Sequence, residues 1–303
     1  MNHQEKLSSS KMKTRRKPDW LKIQLPKGDD YAYVNGIVKE NGLHTICSSG
    51  KCPNVGECWG NGTATFMILG NICTRACKFC NVPTGKPLEA DWKEPKRLAR
   101  SIKLMSLKHA VITSVDRDDL EDGGSGIWAE TIKCIKETTP ETTLEVLIPD
   151  FNGKEGDIQR VIDMNPEVIS HNLETVRRLT REVRSKAKYD LSLKVLKQIS
   201  DSGIVAKSGI MLGLGEKEEE IYQVMDDLLE VGVRVMTIGQ YLQPTKNHLE
   251  VQEYITPEVF KKYETVGLEK GFAFVESTPL VRSSYHAERH VNALNLKRSL
   301  KDD

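Results

Sequence analysis

The hydrophobic residues of this chain come in short, nearly unbroken apolar runs, separated by polar stretches with helical periodicity. Ala64 to Gly70 (ATFMILG), His109 to Val115 (HAVITSV), Leu144 to Asp150 (LEVLIPD), Val168 to Asn172 (VISHN), Ile204 to Leu214 (IVAKSGIMLGL) and Arg234 to Leu242 (RVMTIGQYL) are the runs, several of them rich in β-branched residues. Runs of this kind predict strands buried on both faces, as in a parallel sheet. Helical candidates lie between them. The clearest spans Glu216 to Val231, where Ile221, Val224, Met225, Leu228 and Leu229 share one face behind an acidic first turn. Met225 is expected in the core, as is Cys134, which stands apart in another amphipathic segment. Six strand-then-helix units predict an α/β fold, a partial (β/α)6 TIM-type barrel with ligands at the C-terminal ends of its strands. A doubly wound open sheet is the alternative, and it would place ligands at the same strand ends.

Length and charge narrow the classes. At 303 residues the chain suffices for one large barrel with extensions or two modest domains. Its 44 Lys and Arg against 43 Asp and Glu leave a formal charge of +1, which gives no indication of a nucleic-acid partner. No apolar run approaches the roughly eighteen residues that span a bilayer, and the opening segment lacks the apolar stretch of a secretory signal. A cytoplasmic location without a membrane partner is therefore expected. The basic opening with Ser8 to Ser10 also suits a transit peptide.

Cysteine placement changes the picture most. Six of the seven cysteines form two triplets, Cys47, Cys52, Cys58 and Cys73, Cys77, Cys80. In a reducing compartment such clusters serve as metal ligands or catalysts more often than as disulfides. The second triplet, with gaps of three and two residues, starts just after the first strand and so lies on the expected functional face. Its spacing suits one face of an iron–sulfur cube. A four-iron cube is usually held by four thiolates, so a lone triplet leaves one iron open to a ligand. The alternative is a structural zinc knuckle, which favours a fourth Cys or His at close, regular spacing. His44 and His109 are not so placed. Phe79, beside the last cysteine, is either core or an aromatic face for a ligand's base.

CTRACKFC resembles the signature of the radical S-adenosylmethionine enzymes. That resemblance implies a [4Fe-4S] cluster on Cys73, Cys77 and Cys80, with S-adenosylmethionine chelating the open iron. An unactivated C–H bond offers side chains neither an acidic proton nor an electrophile, so a cofactor must supply the radical. KCPNVGECW followed by GTATFMILGNICTRACKFCNVPTGKP, together with SHNLETV, GLGE and VRSSYHAE, narrows the resemblance to the lipoyl synthase family. It runs from about Lys17 to Glu288, with one departure, Asn71 where an aspartate is commoner. Two competing classes are a methylthiotransferase-like two-cluster radical enzyme and a non-enzymatic zinc-stabilised binding protein. The first would arrange its extra cysteines differently, and the second would be colourless.

The lipoyl synthase resemblance implies insertion of sulfur at C6 and C8 of an octanoyl chain held in amide linkage on a lysine of a lipoyl carrier domain. A second [4Fe-4S] cluster, on Cys47, Cys52 and Cys58, would donate both sulfur atoms. Its fourth iron would be held by Ser283, with Arg282 orienting that end of the site and Ser284 the neighbouring candidate. Read without the resemblance, Ser283 is a solvated hydroxyl or a helix cap, and His286 an exposed or hydrogen-bonded histidine. For S-adenosylmethionine the strand ends offer Ser114, Asn172 and Glu174, with Gly213 and Gly215 letting backbone approach a ligand closely; the resemblance implies that Asn172 and Glu174 contact its ribose and amino group. Asn172 and Glu174 would equally suit a helix cap. Asp116, Arg117, Asp118 and Asp119 form a charged turn that is by default a solvated loop, with contact to the same ligand as its alternative. The basic run Arg177, Arg178, Arg181, Arg184, Lys186 and Lys188 is by default a solvated face. Its functional alternatives are pairing of an arginine, Arg184, with the S-adenosylmethionine carboxylate, and docking of an acidic carrier domain. Implied partners are octanoylated carriers (2-oxoacid dehydrogenase E2 subunits and glycine cleavage H protein), an electron donor such as ferredoxin or flavodoxin, and iron–sulfur assembly or carrier proteins. The expected division is an N-terminal extension with the auxiliary cluster ligands (1–62), the barrel (63–275) and a C-terminal extension (276–303).

Overall fold

In the computed structural model of the chain the described residues are 16–22, 29–49, 52, 54–60, 62–285 and 287; Ser8 to Ser10 and His286 lie outside them. The strands are β1 (His44–Thr45), β2 (Thr63–Ile68), β3 (His109–Ser114), β4 (Thr143–Leu147), β5 (Val168–Ser170), β6 (Val205–Leu212), β7 (Val235–Gln240) and β8 (Phe274–Ser277). They form one eight-stranded sheet in unbroken sequence order. A doubly wound sheet reverses its strand order at a switch point, so that alternative is excluded. β2 to β8 are parallel, and β1 lies antiparallel against β2. The six predicted strands are β2 to β7. β8 adds a seventh parallel strand, and it is only four residues long with alternating burial, too short and one-sided to read as a buried run. β1 and β8 are the two edges, so the barrel stays open.

Helices α1 (Asp29–Glu40), α2 (Ile46–Ser49) and α3 (Val55–Gly60) precede or flank the first parallel strand. Those that follow are α4 (Glu94–Leu104), α5 (Ser125–Thr138), α6 (Glu155–Ile162), α7 (Thr180–Val183), α8 (Tyr189–Asp201), α9 (Glu218–Glu230) and α10 (Pro257–Lys270). All six residues of β2 and of β7 are buried, as strands covered on both faces should be. α5 turns Ile127, Trp128, Ile132 and Ile135 inward, with Cys134 buried beside them. α9 buries Ile221, Val224, Met225 and Leu228. It starts two residues later than its periodicity predicts, because the Glu216 carboxylate turns back to accept the N–H groups of Gly213 and Leu214. Among the described residues no helix is long and apolar enough to cross a membrane.

The segment before β2 and the segment after β8 touch each other. Asn54 Nδ2 donates to the Leu280 carbonyl at 2.8 Å, and the Tyr285 hydroxyl lies 3.2 Å from both Glu57 carboxylate oxygens. The Val281 carbonyl crosses β7 so closely that a Cβ at position 239 would collide with it, which is why Gly239 is needed there.

Candidate active site

A cavity of about 490 Å³ opens at the C-terminal ends of the strands and reaches into the barrel. Cys73, Cys77 and Cys80 line it from the loop after β2, with Phe79 beside them. Two backbone N–H groups point at the Cys73 sulfur, from Arg75 at 3.4 Å and Asp116 at 3.3 Å. The loop is tied down on several sides: Lys78 N donates to Val183 O, Leu249 N to Lys78 O, and His248 Nε2 to Cys80 O. Burial, with Asp116 adding to it and Arg184 opposing, pushes the Cys77 thiol up to about 12. Burial likewise lifts Cys80 to about 11. Thiolate is the ligand form, so uptake of iron here must displace protons.

Arg75, inside the cysteine loop, is the residue that sequence reasoning missed. Its side chain is 3% exposed and is gripped by carboxylates from two further loops. The guanidinium donates to Asp118 at 2.8 Å through Nε and Nη2, and to Asp150 at 2.7 and 2.9 Å. Asp116 lies 3.3 Å away. Burial alone would lower the Arg75 pKa, but Asp118 and Asp150 overturn this and hold it above the usual guanidinium value. Thr74 completes the staple, its Oγ1 donating to Asp116 O and accepting from Asp118 N. The charged turn after β3 is therefore not a solvated loop as expected. Arg117, 3% exposed, is bound to Asp119 and to the carbonyls of Leu69 and Leu88. Arg75→Gln would leave the buried Asp150 and the partly buried Asp116 without their cation, while Asp118 keeps Lys186; breaking a buried pair in this way costs about 3–5 kcal/mol. Urea denaturation of the cluster-free chain is expected to show that drop; unchanged stability would mean that Arg75 does not hold the loop.

Two members of the first triplet reach the same cavity. Cys47, buried in α2, and Cys52 line it; Cys58, on α3, is not among the lining residues. Burial, and then the neighbouring Cys52, pushes Cys47 up to about 11. Asn81, next to Cys80, donates to Ser49 O at 2.8 Å and so links the two cysteine segments. Arg282, Ser283 and Ser284 line the cavity from the segment after β8. Burial lowers the Arg282 pKa while Cys52 opposes it, so the guanidinium and this thiol are within electrostatic reach. Arg282 Nη1 donates to the carbonyls of Val281 at 2.6 Å and Gln240 at 3.4 Å.

Polar groups of the strand ends belong to the same cavity. Ser114, Asn172, Glu174 and Arg184 all line the cavity. Asn172 Nδ2 donates to Glu174 Oε1 at 3.1 Å, and Glu174 takes a positive φ of 67°. Burial raises the Glu174 pKa, with Arg184 opposing. Arg184 is buried and, among the described residues, faces no carboxylate within ion-pair distance; its Nη1 donates to Ser192 Oγ at 3.1 Å. Ser192 in turn donates to His171 Nε2 at 2.9 Å, while His171 Nδ1–H donates to Ile148 O. Burial lowers His171 to about 4, so it is a neutral member of this chain. Gly213 and Gly215 are not brought to the cavity. Gly213, at a φ of 99°, leaves room for the Gln240 amide and the Glu253 carbonyl, which a side chain would strike.

Most of the basic run is spoken for. Arg177 pairs with Asp190 and Asp227 and lies over the Tyr189 ring, Arg178 pairs with Glu220, and Lys186 pairs with Asp118. A docking surface built on charge would rest on Arg181 and Lys188, so the structure gives the docking alternative little to work with.

The residues present fit a thiolate-held cluster with a polar ligand beside it. Ser114 Oγ and Asn172 Oδ1 are buried with no hydrogen-bond partner, an expensive condition unless a ligand satisfies them. Arg184 beside them suits a carboxylate. Among the described residues no three His, Cys, Asp or Glu side chains converge as a single metal ion requires.

Comparison with known proteins agrees. The family model described as the radical SAM superfamily matches residues 67–228. The lipoyl synthase of Flavobacterium johnsoniae is 64% identical over 276 residues, covering 91% of this chain and 96% of that protein. The lipoyl synthase of Christiangramia forsetii is 62% identical over 284 residues, covering 93% and 97%. Among solved structures, Streptococcus suis SuiB bound to S-adenosylmethionine superposes with a TM-score of 0.55 at 12% identity, over 72% of this chain and 50% of SuiB, a likeness of fold alone.

Proposed function

Since the chain belongs to the lipoyl synthase family of the radical S-adenosylmethionine superfamily, we propose that it inserts two sulfur atoms, at C6 and C8, into an octanoyl chain carried on a lysine of a lipoyl carrier domain. One [4Fe-4S] cluster and S-adenosylmethionine come with that membership. The observation that supports the reading best is that all of the second triplet, Cys73, Cys77 and Cys80, and two members of the first, Cys47 and Cys52, line one cavity.

Cys73, Cys77 and Cys80 hold the cluster, on a loop that Arg75 keeps in place. Bound there, a cluster with S-adenosylmethionine would supply radical chemistry for carbons no acid or base can reach. Arg184 receives the methionyl carboxylate, while Ser114, Asn172 and Glu174 bind and orient the polar remainder; Phe79 packs against it. Gly213 and Gly215 act at one remove by shaping the turn that Glu216 closes. Cys47, Cys52 and Cys58 would hold a second [4Fe-4S] cluster, which would supply the inserted sulfur. Ser283 completes its ligands, and Arg282 sets the position of that segment through the Val281 and Gln240 carbonyls. An oxygen ligand in place of a thiolate suits a cluster that must come apart.

Residues 1–62, 63–275 and 276–303 then act as auxiliary-site extension, barrel and closing segment. A cytoplasmic enzyme of this kind needs octanoylated E2 subunits or H protein as substrates, a reductant of the ferredoxin or flavodoxin class, and iron–sulfur carrier proteins to restore what each turnover consumes. An anaerobic single-turnover assay with octanoyl-lysyl peptide, S-adenosylmethionine and dithionite tests the reading. Lipoyl product is expected to stop at one equivalent or less per chain, with iron lost in parallel. Deoxyadenosine without thiolated peptide would sink the assignment of substrate, and many turnovers without iron loss would sink the sacrificial cluster.

A further inference from the structure

Barrels of this type fill their interior with layers of mainly branched apolar side chains. Here the middle of the barrel holds an ion pair. Glu145 on β4 is 1% exposed and Lys207 on β6 is 0% exposed, with Lys207 Nζ 2.9 Å from each carboxylate oxygen. Ser170 on β5 donates to Glu145 Oε1 at 2.7 Å. Glu145 lines the cavity and Lys207 does not, so the carboxylate is presented to the cavity with the ammonium behind it. Both oxygens are already engaged. A pair like this adds little stability, because apolar residues of similar volume usually do as well or better in its place.

Its surroundings suggest what it does. Val111 stands in register with Glu145 on the neighbouring strand. Val111, Met67, Leu147, Ile210 and Met211 line the same cavity. An alkyl chain gains by lying along these walls. It gains nothing by advancing onto a saturated ion pair, since pushing it aside would strip hydrogen bonds from buried charges. Resting on the reading of this cavity as the octanoyl site, we propose that the Glu145–Lys207 pair is the depth stop of the acyl pocket. It excludes chains longer than eight carbons and thereby sets which carbons stand within reach of the radical.

Anaerobic equilibrium binding to the holoenzyme tests this, with S-adenosylhomocysteine present to prevent turnover and with acetyl-, hexanoyl-, octanoyl- and decanoyl-lysyl peptides as probes. The wild type is expected to favour octanoyl over decanoyl by about ten- to a hundredfold. In the double variant Glu145→Leu/Lys207→Met that ratio should fall to near one. Val111→Leu keeps the pair and shortens the pocket, so it should raise the hexanoyl-to-octanoyl ratio several-fold, and it decides the matter alone if the double variant fails to fold. A wild type indifferent to two extra carbons would overturn the proposal, as would a folded double variant with the wild-type ratio or a Val111→Leu variant with unchanged preference. Octanoyl binding no tighter than acetyl would instead overturn the reading of the cavity as an acyl site.

Discussion

Replacing Cys73, Cys77 and Cys80 together by alanine is expected to abolish cleavage of S-adenosylmethionine, with no 5′-deoxyadenosine above background and no lipoyl product. The loss should be of the order seen when a covalent catalytic group is removed, about a millionfold, because no side chain in the cavity offers an alternative route to a radical. The variant should still fold. Arg75, Thr74 and their carboxylate partners hold the loop without calling on the thiols. Deoxyadenosine formation is read by chromatography, and folding by circular dichroism. Persistent cleavage would move the radical cluster elsewhere in the chain.

The mirror experiment should split the activities. Alanine at Cys47, Cys52 and Cys58 is expected to leave S-adenosylmethionine cleavage within a few-fold of the wild type while sulfur insertion disappears. The ground for this asymmetry is electrostatic and local: Arg184, the group suited to the S-adenosylmethionine carboxylate, acts on Cys77 of the second triplet, and the unsatisfied Ser114 Oγ and Asn172 Oδ1 line the cavity with it. Mass spectrometry of the peptide, beside the deoxyadenosine count, separates the outcomes. Lipoyl product at the wild-type rate would show that sulfur comes from another source.

Much of this was legible in the chain itself. Buried parallel strands advertise themselves as apolar runs, and cysteine spacing is local, so β2 to β7 and both triplets could be read directly. Arg75 could not. Its partners stand 43 and 75 residues away, and a charged residue in a loop gives no hint that distant carboxylates will enclose it. The same blindness made the Asp116 to Asp119 turn look solvated and the Arg177 to Lys188 run look free. Gly213 was expected against the cofactor because glycine permits close approach. That approach exists, but what comes close is Gln240 and Glu253 of the protein's own chain. His171 lay in plain view within SHNLETV, and only the position of Ser192, 21 residues on, connects it to Arg184.

The clasp between the extensions has a consequence for biosynthesis. A ribosome releases the chain from its N-terminus, and domains form as their parts emerge. Every partner named for the 73–80 loop has been made once Leu249 has been translated. The segment around Cys47, Cys52 and Cys58 emerges before that loop, yet Leu280 and Tyr285, which secure it, are separated from Asn54 and Glu57 by 226 and 228 residues. Contacts this distant in sequence form late and slowly. The triplet that leaves the ribosome before the other thus waits longer for its distant clasp, and during that interval it depends on the cell's reducing power to stay unoxidised.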